Sequence, residues 1–445
     1  MYWHETLYQV LNTINTVILY LIGIPFALQM IYMLLFWLKK KTYPKAEKKA
    51  KIAVLIPAHN EEDVIYDTIM HLKNHQTYPK DKYDIYVACH NCTDKTVELV
   101  KKAGAIPIIY NNDNPKESFL AYNLNNAFKY LLENDKDYEF YIRLDADNYV
   151  NDEFLDLMND AYQSGVDYAR GYESAKNMTQ SLYTKACGLY YVFDSRFGSR
   201  VRERLHISAH VNGPGMMVSK KALIQNGGFN CFTISEDAEF TFSLMLKGVK
   251  GHFVEDAVIY EDLPSTLKDT YNRNIRIGSG SRRLIFGKLG KMFLKFFYTF
   301  RFSYLEMFLT YFFNIICVLL ISWLPLFYIY NLIYLGLCGY GNIVTSMGAS
   351  YYLNLFYTTI IVIAVVLTFL FLFCGWLQGF MLILLDYKKM GAKKRRELVD
   401  GAFMFPFFSV IYIITIAFGM LSKPRWKKVK RNSEYTKKLE KNNKK

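Results

Sequence analysis

Two carboxylates follow an apolar segment, at a spacing that suits binding of a hard cation. Asp145-Ala146-Asp147 comes directly after residues 140–144. Carboxylates at positions i and i+2 at a strand end can share Mg²⁺ or Mn²⁺, which completes its shell with phosphate oxygens. Such a cation would neutralise the charge that builds on a departing diphosphate. Taken alone, the triplet is more often a solvated turn, but its place after a buried strand favours a metal site.

A second acidic cluster, Ser235-Glu236-Asp237, precedes a helix predicted over residues 239–247. Acidic residues at a helix start are favoured by the helix dipole, so an ordinary helix N-terminus is one interpretation. The functional interpretation is a general base that takes the proton of an acceptor hydroxyl.

The third cluster is basic. Arg273-Asn274-Ile275-Arg276 is followed by Gly278 and Gly280. The two arginines could hold a diphosphate, and the glycines and serines that follow predict a mobile loop beside the membrane. The alternative is a basic patch that only adjoins the membrane.

The elements that position these clusters are strands alternating with helices. Short apolar runs predict strands at 52–57, 84–88, 106–110 and 140–144, with a helix over 96–102. This alternation indicates a right-handed βαβ sheet, in which ligands bind beyond the carboxyl ends of the strands. Two polar turns fall at that edge, Ala58-His59-Asn60-Glu61-Glu62 and Asn91-Cys92-Thr93-Asp94.

Long uncharged stretches exclude a wholly soluble protein. Residues 6–38, 307–385 and 401–422 carry no charge, whereas about 20 apolar residues span a bilayer. The first stretch is too long for a cleavable signal peptide and predicts a signal anchor. A glycine-containing segment, 336–352, divides the second into spans near 304–335 and 354–385.

The net charge of +14 is concentrated beside these stretches. Nearly half of the 54 Lys and Arg residues lie in runs 39–51, 388–396 and 423–445. Basic runs next to apolar spans are typical of the positive-inside rule and of contact with anionic lipid, and they argue against nucleic acid. This pattern places residues 41–281 in the cytoplasm of a multi-pass protein of the plasma membrane.

Residues 401–422 conflict with that topology, because a simple crossing would leave the basic tail outside. Pro406 favours a re-entrant or strongly bent segment with a cytoplasmic C-terminus. The alternative is a hidden additional crossing in the preceding stretch. Residues 282–302 have apolar side chains at helical spacing opposite lysines, which predicts an amphipathic helix in the membrane interface; an ordinary surface helix is the alternative.

The seven cysteines do not predict stable disulfides, because most fall in the cytoplasmic part. Cys89 and Cys92 have CxxC spacing, and His206 and His210 are four positions apart. No second close pair completes a zinc finger, so a zinc site is disfavoured.

The order of the motifs resembles the membrane-embedded family 2 glycosyltransferases, which include hyaluronan, chitin, cellulose and poly-N-acetylglucosamine synthases. The resemblance rests on the motifs quoted above together with Asn212-Gly213-Pro214-Gly215. It implies a Rossmann-like α/β domain of the GT-A type plus an α-helical transmembrane bundle. The implied segments are 1–40 (N-terminal span), 41–281 (catalytic domain), 282–302 (interfacial helix), 303–422 (C-terminal spans) and 423–445 (basic cytoplasmic tail).

The resemblance also implies a role for each matching residue. Asp237 would be the general base, with Glu236 beside it, and Asp145 and Asp147 would hold Mg²⁺ or Mn²⁺. The other residues that the resemblance implies are Ala58, Glu61, His90, Asp145, Arg273 and Arg276 for the donor, and Gly213 and Ile277 on the acceptor side.

The implied reaction is transfer, with inversion, from a UDP-sugar to a growing cell-surface polysaccharide, coupled to export. Transfer of one sugar to a membrane lipid and a catalytically degenerate membrane subunit are the alternatives. The sequence departs from the family pattern at four positions: His90 replaces an aspartate, Leu120 a lysine (with Lys116 nearby), Arg273 a glutamine and Ile277 a tryptophan. Ile277 and the few spans favour the lipid acceptor, and His90, Leu120 and Ile277 motivate the degenerate subunit. An isoleucine has no π face on which an acceptor sugar could stack, which weakens the inference of processive synthesis.

Overall fold

The computed structural model describes residues 3–112, 114, 119–134, 136–340 and 348–423. Three features of the sequence lie outside these residues. They are Lys116, positions 341–347 of the segment 336–352 that was expected to divide the second apolar stretch, and the basic tail beyond Lys423. The described chain starts with a long helix, α1 (Trp3–Leu34), and then enters a sheet domain.

The first half of the sheet is parallel, as the sequence predicts. Its strands are β1 (Ile52–Ala58), β2 (Tyr83–His90), β3 (Ile106–Tyr110) and β4 (Phe140–Arg143). Helices α2 (Ile65–His75), α3 (Thr96–Lys102) and α4 (Leu120–Glu133) connect them. β1 pairs in parallel with both β2 and β4, so it lies at the centre of this half. All seven residues of β1 are buried, which explains its continuous apolar sequence.

The second half makes the sheet mixed. It comprises β5 (Tyr149–Val150), α5 (Phe154–Gln163), β6 (Tyr168–Ala175), α6 (Leu182–Phe193), α7 (Arg200–Arg204), β7 (Met216–Ser219), α8 (Lys220–Asn226), α9 (Glu236–Leu246) and β8 (His252–Glu261). The strand order is β3-β2-β1-β4-β7-β6-β8-β5. β7 runs antiparallel to both β4 and β6. The expectation of a βαβ sheet is therefore confirmed for the first four strands, and the remainder extends it with mixed pairing.

Apolar helices cover both faces of this sheet. One core joins the sheet to α2, α3 and α5, through residues such as Leu72, Val100 and Met158. The opposite core joins it to α4, α8 and α9, through residues such as Phe128, Leu223 and Phe240. Because both faces are covered, the carboxyl edge of the strands is where polar side chains can gather.

The basic cluster lies on a helix, and the predicted mobile loop is wrong. α10 (Leu267–Leu284) continues through a π-helical turn (Ile285–Leu289) into α11 (Gly290–Thr299) without a break. The hydroxyl of Thr266 caps α10 by accepting a hydrogen bond from the Asp269 backbone N–H. A side chain at Gly280 would collide with Ser235, so this glycine serves close packing rather than mobility.

The amphipathic stretch has two contrasting faces. Leu289 and Met292 are buried in a cluster with residues of α9, whereas Leu294, Tyr298 and Phe300 are exposed. The expected boundary between 41–281 and 282–302 falls inside the continuous helical segment.

Four helical stretches in the described chain are long and apolar enough to cross a membrane. They are Glu5–Leu34, Phe302–Gly339, Ser350–Asp386 and Arg395–Leu421. The helices that form them after α11 are α12 (Phe302–Tyr340), α13 (Ala349–Phe371), α14 (Leu377–Asp386) and α15 (Val399–Leu421), with a π-helical turn (Leu372–Trp376) joining α13 to α14.

α15 differs from the re-entrant or strongly bent segment that Pro406 suggested. It is one uninterrupted helix with the proline inside it. Proline removes one backbone hydrogen bond from a helix, yet α15 continues through it. A side chain at Gly375 would collide with the Pro406 ring, so this helix segment packs closely there. Near its C-terminal end, Gly419 of α15 meets Gly278 of α10 with no room for a Cβ.

Candidate functional site

The carboxyl ends of β1, β2 and β4 bring the predicted donor residues to one edge of the sheet. Ala58 ends β1, His90 ends β2, and Asp145 follows β4. In the parallel register Ala58 lies opposite Cys89, so the turns that follow β1 and β2 are neighbours. The sequence prediction that these turns share an edge is confirmed.

Hydrogen bonds join the two turns at the predicted nucleoside end. The ring Nδ1 of His59 lies 2.7 Å from the His90 carbonyl oxygen, and the Glu61 backbone N–H donates to Thr96 Oγ1 at 2.9 Å. Ala58 and His90 are buried, and the His90 ring packs 5.3 Å from the Tyr110 ring. Glu61 is half-buried, so of the three predicted residues it retains the most exposure.

Arg143, which was not among the site residues predicted from the sequence, joins the two acidic clusters. Its Nη2 lies 3.2 Å from Asp145 Oδ1, and its Nη1 lies 3.1 Å from Glu236 Oε1. The guanidinium is almost completely buried, and so is its partner Glu236, whereas the Asp145 carboxylate is partly exposed. The sequence signal that could have identified Arg143 is its position inside an otherwise apolar strand, because a buried cation requires an anionic partner.

Gly213 completes this arrangement from the opposite side. Its backbone N–H donates to Asp237 Oδ2 at 3.1 Å, and the Ala238 N–H donates to Asp237 Oδ1 at 2.7 Å. A Cβ at Gly213 would lie 2.7 Å from Arg143 Cζ, so only glycine leaves room for the guanidinium. The Asp237 carboxylate is half-buried and held by two backbone amides, whereas Glu236 is buried against Arg143.

Replacing Gly213 by alanine is expected to displace the Arg143 guanidinium and to destabilise the protein by about 1–3 kcal/mol, the usual result of overpacking. Transferase activity should fall with it, because Arg143 pairs with both acidic clusters. The thermal unfolding midpoint and turnover of the purified full chain test this. Gly290→Ala is the matched control, since a Cβ there meets nothing within 4 Å. A Gly213→Ala protein as stable as that control would show that the crowding is relieved without cost.

A third carboxylate, Glu261, lies close to the predicted metal ligands. Burial and the charges of Glu173, Asp145 and Asp147 together raise its pKa to about 8, against the opposing charge of Arg273. Asp147 itself is buried, and the Asp145 backbone N–H donates to Asn148 Oδ1 at 2.8 Å, which holds the turn. Glu261 was not predicted as a site residue from the sequence. It ends an apolar strand, and the position of Asp145 after β4 is the same kind of signal.

The carboxylates at this edge of the sheet are suitable ligands for a hard divalent cation. Asp145 and Asp147 supply carboxylate oxygens, the ligands that Mg²⁺ and Mn²⁺ prefer, and Asp145 is partly exposed. Within the described residues no group of three or more His, Cys, Asp or Glu side chains is arranged to hold a metal. Mg²⁺ usually needs only one or two protein carboxylates beside substrate phosphates, so two are sufficient.

The two arginines of α10 have different surroundings. Arg273 pairs with Glu261 (Nη2 to Oε2, 3.4 Å) and its guanidinium lies 4.9 Å from the Tyr191 ring. Burial and the charge of Arg273 lower the pKa of Arg276, while Glu236 and Asp145 oppose this. In the described part of the chain Arg276 has no ion-pair partner within 4 Å, so it is the arginine that remains available to an anion. Ile277, the next residue, is half-buried.

The protein is expected to become less stable as the pH rises from 4.5, the ordinary pKa of a glutamate, to about 7. Burial, with a contribution from Asp237, raises the pKa of Glu236 from 4.5 to about 7, against the effect of Arg143. Below 4.5 the folded and unfolded chains both hold the proton, and between these values mainly the folded chain does. Glu236 therefore contributes stability that is fully present at low pH and is lost as the pH rises through about 7.

Thermal unfolding of the full chain in detergent between about pH 5 and about pH 8 measures this effect. The midpoint should fall with pH less steeply in Glu236→Gln than in the unmodified protein. Glu133→Gln, at an exposed position, is the control and should follow the unmodified curve. Parallel curves for all three proteins would contradict the assignment.

Comparison with known proteins agrees with this geometry. A family model described as "Glycosyl transferase family group 2" matches residues 142–418, and one described as "Glycosyl transferase family 2" matches residues 53–227. The probable glycosyltransferase YdaM of Bacillus subtilis is 25% identical over 252 residues, 55% of this chain and 58% of that protein. The β-monoglucosyldiacylglycerol synthase of Nostoc sp. is 26% identical over 200 residues, 44% of this chain and 41% of that protein. The chain thus spans about half the length of these curated relatives.

A solved structure shows that the fold is of the GT-A type. The mannosyltransferase PcManGT from Pyrobaculum calidifontis, in complex with GDP-Man and Mn²⁺, superposes with a TM-score of 0.54 at 13% identity, over 90% of this chain and 98% of that one. At this identity the likeness concerns the fold alone. The predicted fold class, a Rossmann-like α/β domain with apolar helices, is therefore confirmed. Since a family model covers more than half of the sequence, the chain belongs to the group 2 glycosyl transferase family.

Proposed function

We propose that this glycosyltransferase moves a sugar, with inversion, from a UDP-sugar to the hydroxyl of a membrane lipid. The observation that carries the proposal is the position of Asp237 beside an apolar helix. Asp237 lies in the first turn of α9, and Phe242 of α9 packs with its ring 4.8 Å from the Tyr311 ring of α12. α12 is one of the helices apolar enough to cross a membrane. An acceptor held in the bilayer would then reach the base without leaving the membrane surface.

Membrane topology forms part of the same proposal. The apolar stretches up to residue 386 cross the plasma membrane, and the sheet domain lies in the cytoplasm beside the lysine run 39–51, in accord with the positive-inside rule. α15 is also apolar enough to cross, but a full crossing would leave the basic residues 423–445 outside, so α15 is not counted among the crossings. The exposed apolar face of α11, with Tyr298 and Phe300, then rests in the interface.

In the proposed reaction, each step is assigned to a group of the chain itself. The Asp237 carboxylate accepts the acceptor proton, and two backbone amides hold that carboxylate in place. The acceptor oxygen attacks the anomeric carbon on the face opposite the diphosphate. The bond from that carbon to the diphosphate oxygen breaks, UDP leaves, and an α-linked donor yields a β-linked product. Arg276 lies near Asp145 and supplies positive charge to the diphosphate.

Asp145 and Asp147 would hold Mg²⁺ or Mn²⁺, which when bound neutralises charge on the leaving diphosphate. Arg143 pairs with Asp145 and keeps its carboxylate at the strand edge. Ala58, Glu61 and His90 border the nucleoside. Gly213 and Ile277 lie on the acceptor side in this proposal, and Ile277 offers an apolar contact that suits a lipid.

A growing cell-surface polysaccharide is the second candidate acceptor. Its specific support is the number of apolar helices, because four apolar stretches provide more protein around an exit path than anchoring requires. Against it stand Ile277 and the curated Nostoc relative, whose name is that of a glycolipid synthase.

Incubation of the purified full chain with membrane lipid, Mn²⁺ and radiolabelled donors separates these candidates. The donors are UDP-glucose, UDP-N-acetylglucosamine, UDP-glucuronate and GDP-mannose, the last because His90 replaces the aspartate usual beside uracil. A small product that extracts into organic solvent supports the lipid acceptor, and a high-mass product supports the polysaccharide. Nucleotide binding without transfer from any donor would identify a catalytically degenerate subunit and overturn the proposal.

A further inference from the structure

We propose that Glu306, a buried carboxylate at the start of the apolar helix α12, is a positioning residue that fixes the general base Asp237 relative to the membrane. It acts through residues 208–213, which lie between α7 and β7 and are called the connecting segment below. The inference rests on the proposed function, because that function makes Asp237 the base and a membrane lipid the acceptor. The contacts that carry the inference do not depend on that assignment.

Glu306 is a charge in an unusual place. It is fully buried, although it stands in a helix that is apolar enough to cross a membrane. It is also the last charged residue before the uncharged stretch 307–385. Burial of a carboxylate is costly unless close partners compensate, and an ionisable residue in an apolar span is a candidate for a functional role. Apolar packing would attach α12 to the sheet domain without that cost.

Both carboxylate oxygens of Glu306 have partners. Oε1 lies 2.8 Å from Arg202 Nε and accepts a hydrogen bond from Thr310 Oγ1 at 3.1 Å. Oε2 lies 3.4 Å from His210 Nε2. Arg202 belongs to α7 of the sheet domain, and its guanidinium lies 5.4 Å from the centre of the Tyr32 ring of α1. Glu306 therefore lies where two apolar helices meet the sheet domain.

The first end of the connecting segment is anchored to α12. The Ser208 backbone N–H donates a hydrogen bond to Ser303 Oγ at 3.0 Å, and His210, two positions later, meets Glu306. Ser303 and Glu306 both lie near the start of α12, so two contacts fix this end to the same part of the helix. Residues 208–211 are buried, which leaves water little access to these bonds.

The second end of the connecting segment is anchored to α9, the helix that carries the base. The Val211 carbonyl accepts a hydrogen bond from Thr241 Oγ1 at 3.1 Å, and the Gly213 N–H donates to Asp237 Oδ2 at 3.1 Å. One of the two backbone amides that hold the base is therefore part of this segment. Only two residues separate His210 from Gly213, so a displacement at the α12 end is passed on with little slack.

A chain of ion pairs reaches the connecting segment by a second route, which starts at Arg202. Asp194 lies 3.8 Å from Arg202 Nη1 and 2.7 Å from Arg170 Nη1. Arg170 Nη2 lies 3.1 Å from Glu173 Oε1, and that oxygen accepts a hydrogen bond from Asn212 Nδ2 at 2.9 Å. Asn212 directly precedes the residue whose N–H binds the base. Both routes from Glu306 thus end at the same point of the chain.

Loss of the Glu306 charge is expected to disturb the base and to spare the donor residues. Glutamine keeps the size of the side chain but removes its ion pairs with Arg202 and His210, so the connecting segment loses its firmest anchor on α12. We expect Glu306→Gln to lower kcat about 10- to 100-fold, because misplacement of a reacting group by about 1 Å can cost about 100-fold. The donor KM should stay unchanged, since the turns after β1 and β2 take no part in these contacts.

The test is a double-mutant cycle on the full chain in detergent, with the donor and acceptor lipid that support turnover. Initial rates give kcat and donor KM for the unmodified protein, Glu306→Gln, Asp237→Asn and the protein with both substitutions. If Glu306 acts through the base, its substitution should cost nothing further once the base is gone, so the double variant should have the kcat of Asp237→Asn. A defect that is merely structural would multiply the two losses.

Glu255→Gln is the matched control. Glu255 is also a buried carboxylate, and it pairs with Arg200 and, at 3.0 Å, with Lys389, which follows another apolar stretch. Its substitution should lower stability, as that of Glu306 does, but leave kcat unchanged. Ser303→Ala is a milder variant of the same anchor, because Ser303 is half-buried and the change removes the acceptor of one hydrogen bond. It should lower kcat by a smaller factor and decides the question if Glu306→Gln no longer binds radiolabelled UDP or GDP.

Each outcome has one meaning. A lower kcat with unchanged nucleotide binding, and no further loss in the double variant, supports the positioning role. Full kcat in Glu306→Gln, or losses that multiply, overturns that role and leaves the proposed function intact. The same two criteria apply to Ser303→Ala. Full kcat in Asp237→Asn, or no turnover with any donor, overturns the proposed function and this inference with it.

Discussion

Asp237→Asn is expected to lower kcat about 1,000-fold while the donor KM changes only slightly, within the range observed for loss of a general base. The amide is nearly the same shape as the carboxylate, and its oxygen can still accept the Gly213 N–H, although the hydrogen bond from the Ala238 N–H to the second oxygen is lost. What it cannot do is accept a proton from the attacking hydroxyl. Initial rates of UDP release with saturating acceptor, together with donor KM, measure the effect.

Asp152→Asn is the control for this substitution, because Asp152 is largely exposed and outside the site. It should leave kcat unchanged. Glu236→Gln provides a second comparison, since Glu236 is buried against Arg143 and should affect stability and donor binding more than the proton transfer itself. If Asp237→Asn retained kcat while Glu236→Gln lost it, the base would be Glu236.

Asp147→Asn is expected to lower kcat/KM about 100-fold or more, because each factor of ten needs about 1.4 kcal/mol and metal charge stabilisation is worth several. The substitution replaces an anionic ligand by a neutral one at a buried position, with the carboxyl groups of Glu261 and Asp145 as its neighbours. The Mn²⁺ concentration that gives half-maximal activity should therefore rise. Free Mn²⁺ measured by electron paramagnetic resonance reports binding independently of turnover.

Asp152→Asn serves again as the exposed control and should keep the Mn²⁺ dependence of the unmodified protein. Unchanged Mn²⁺ binding in Asp147→Asn would place the cation elsewhere. The proposal for the metal would then fail without affecting the role of Asp237.

The sequence determined much of the sheet because burial of a strand is recorded locally. A continuous run such as 52–57 leaves few alternatives to a central strand, and β1 is buried along its whole length. The polar turn that follows such a strand must lie at the carboxyl edge, so Ala58, His90 and Asp145 were placed together correctly. The apolar helices were equally evident, since their length and lack of charge are local properties.

Other features of the site were decided only by tertiary packing. Arg143 joins Asp145 to Glu236 across the sheet, a contact between positions far apart in sequence. Glu261 approaches the predicted metal ligands because β8 lies beside β5, with Tyr260 opposite Tyr149, and no local pattern encodes that pairing. Long-range contacts of this kind depend on which elements become neighbours, and the turn and helix propensities of a single segment do not contain that information.

The glycine residues show most clearly the difference between what is encoded locally and what depends on tertiary contacts. Gly278 and Gly280 read locally as a mobile loop, yet they lie in α10, where Gly278 meets Gly419 of α15 and Gly280 meets Ser235. A glycine either loosens a chain or allows two elements to approach closely, and only the presence of a neighbour distinguishes the two. Pro406 is the parallel case in α15, because the helix continues through a residue that by itself suggested a break. The sequence by itself thus determined the central strands, the motif order and the apolar helices, whereas tertiary contacts decided how the acidic clusters, the arginines and α15 are assembled around the site.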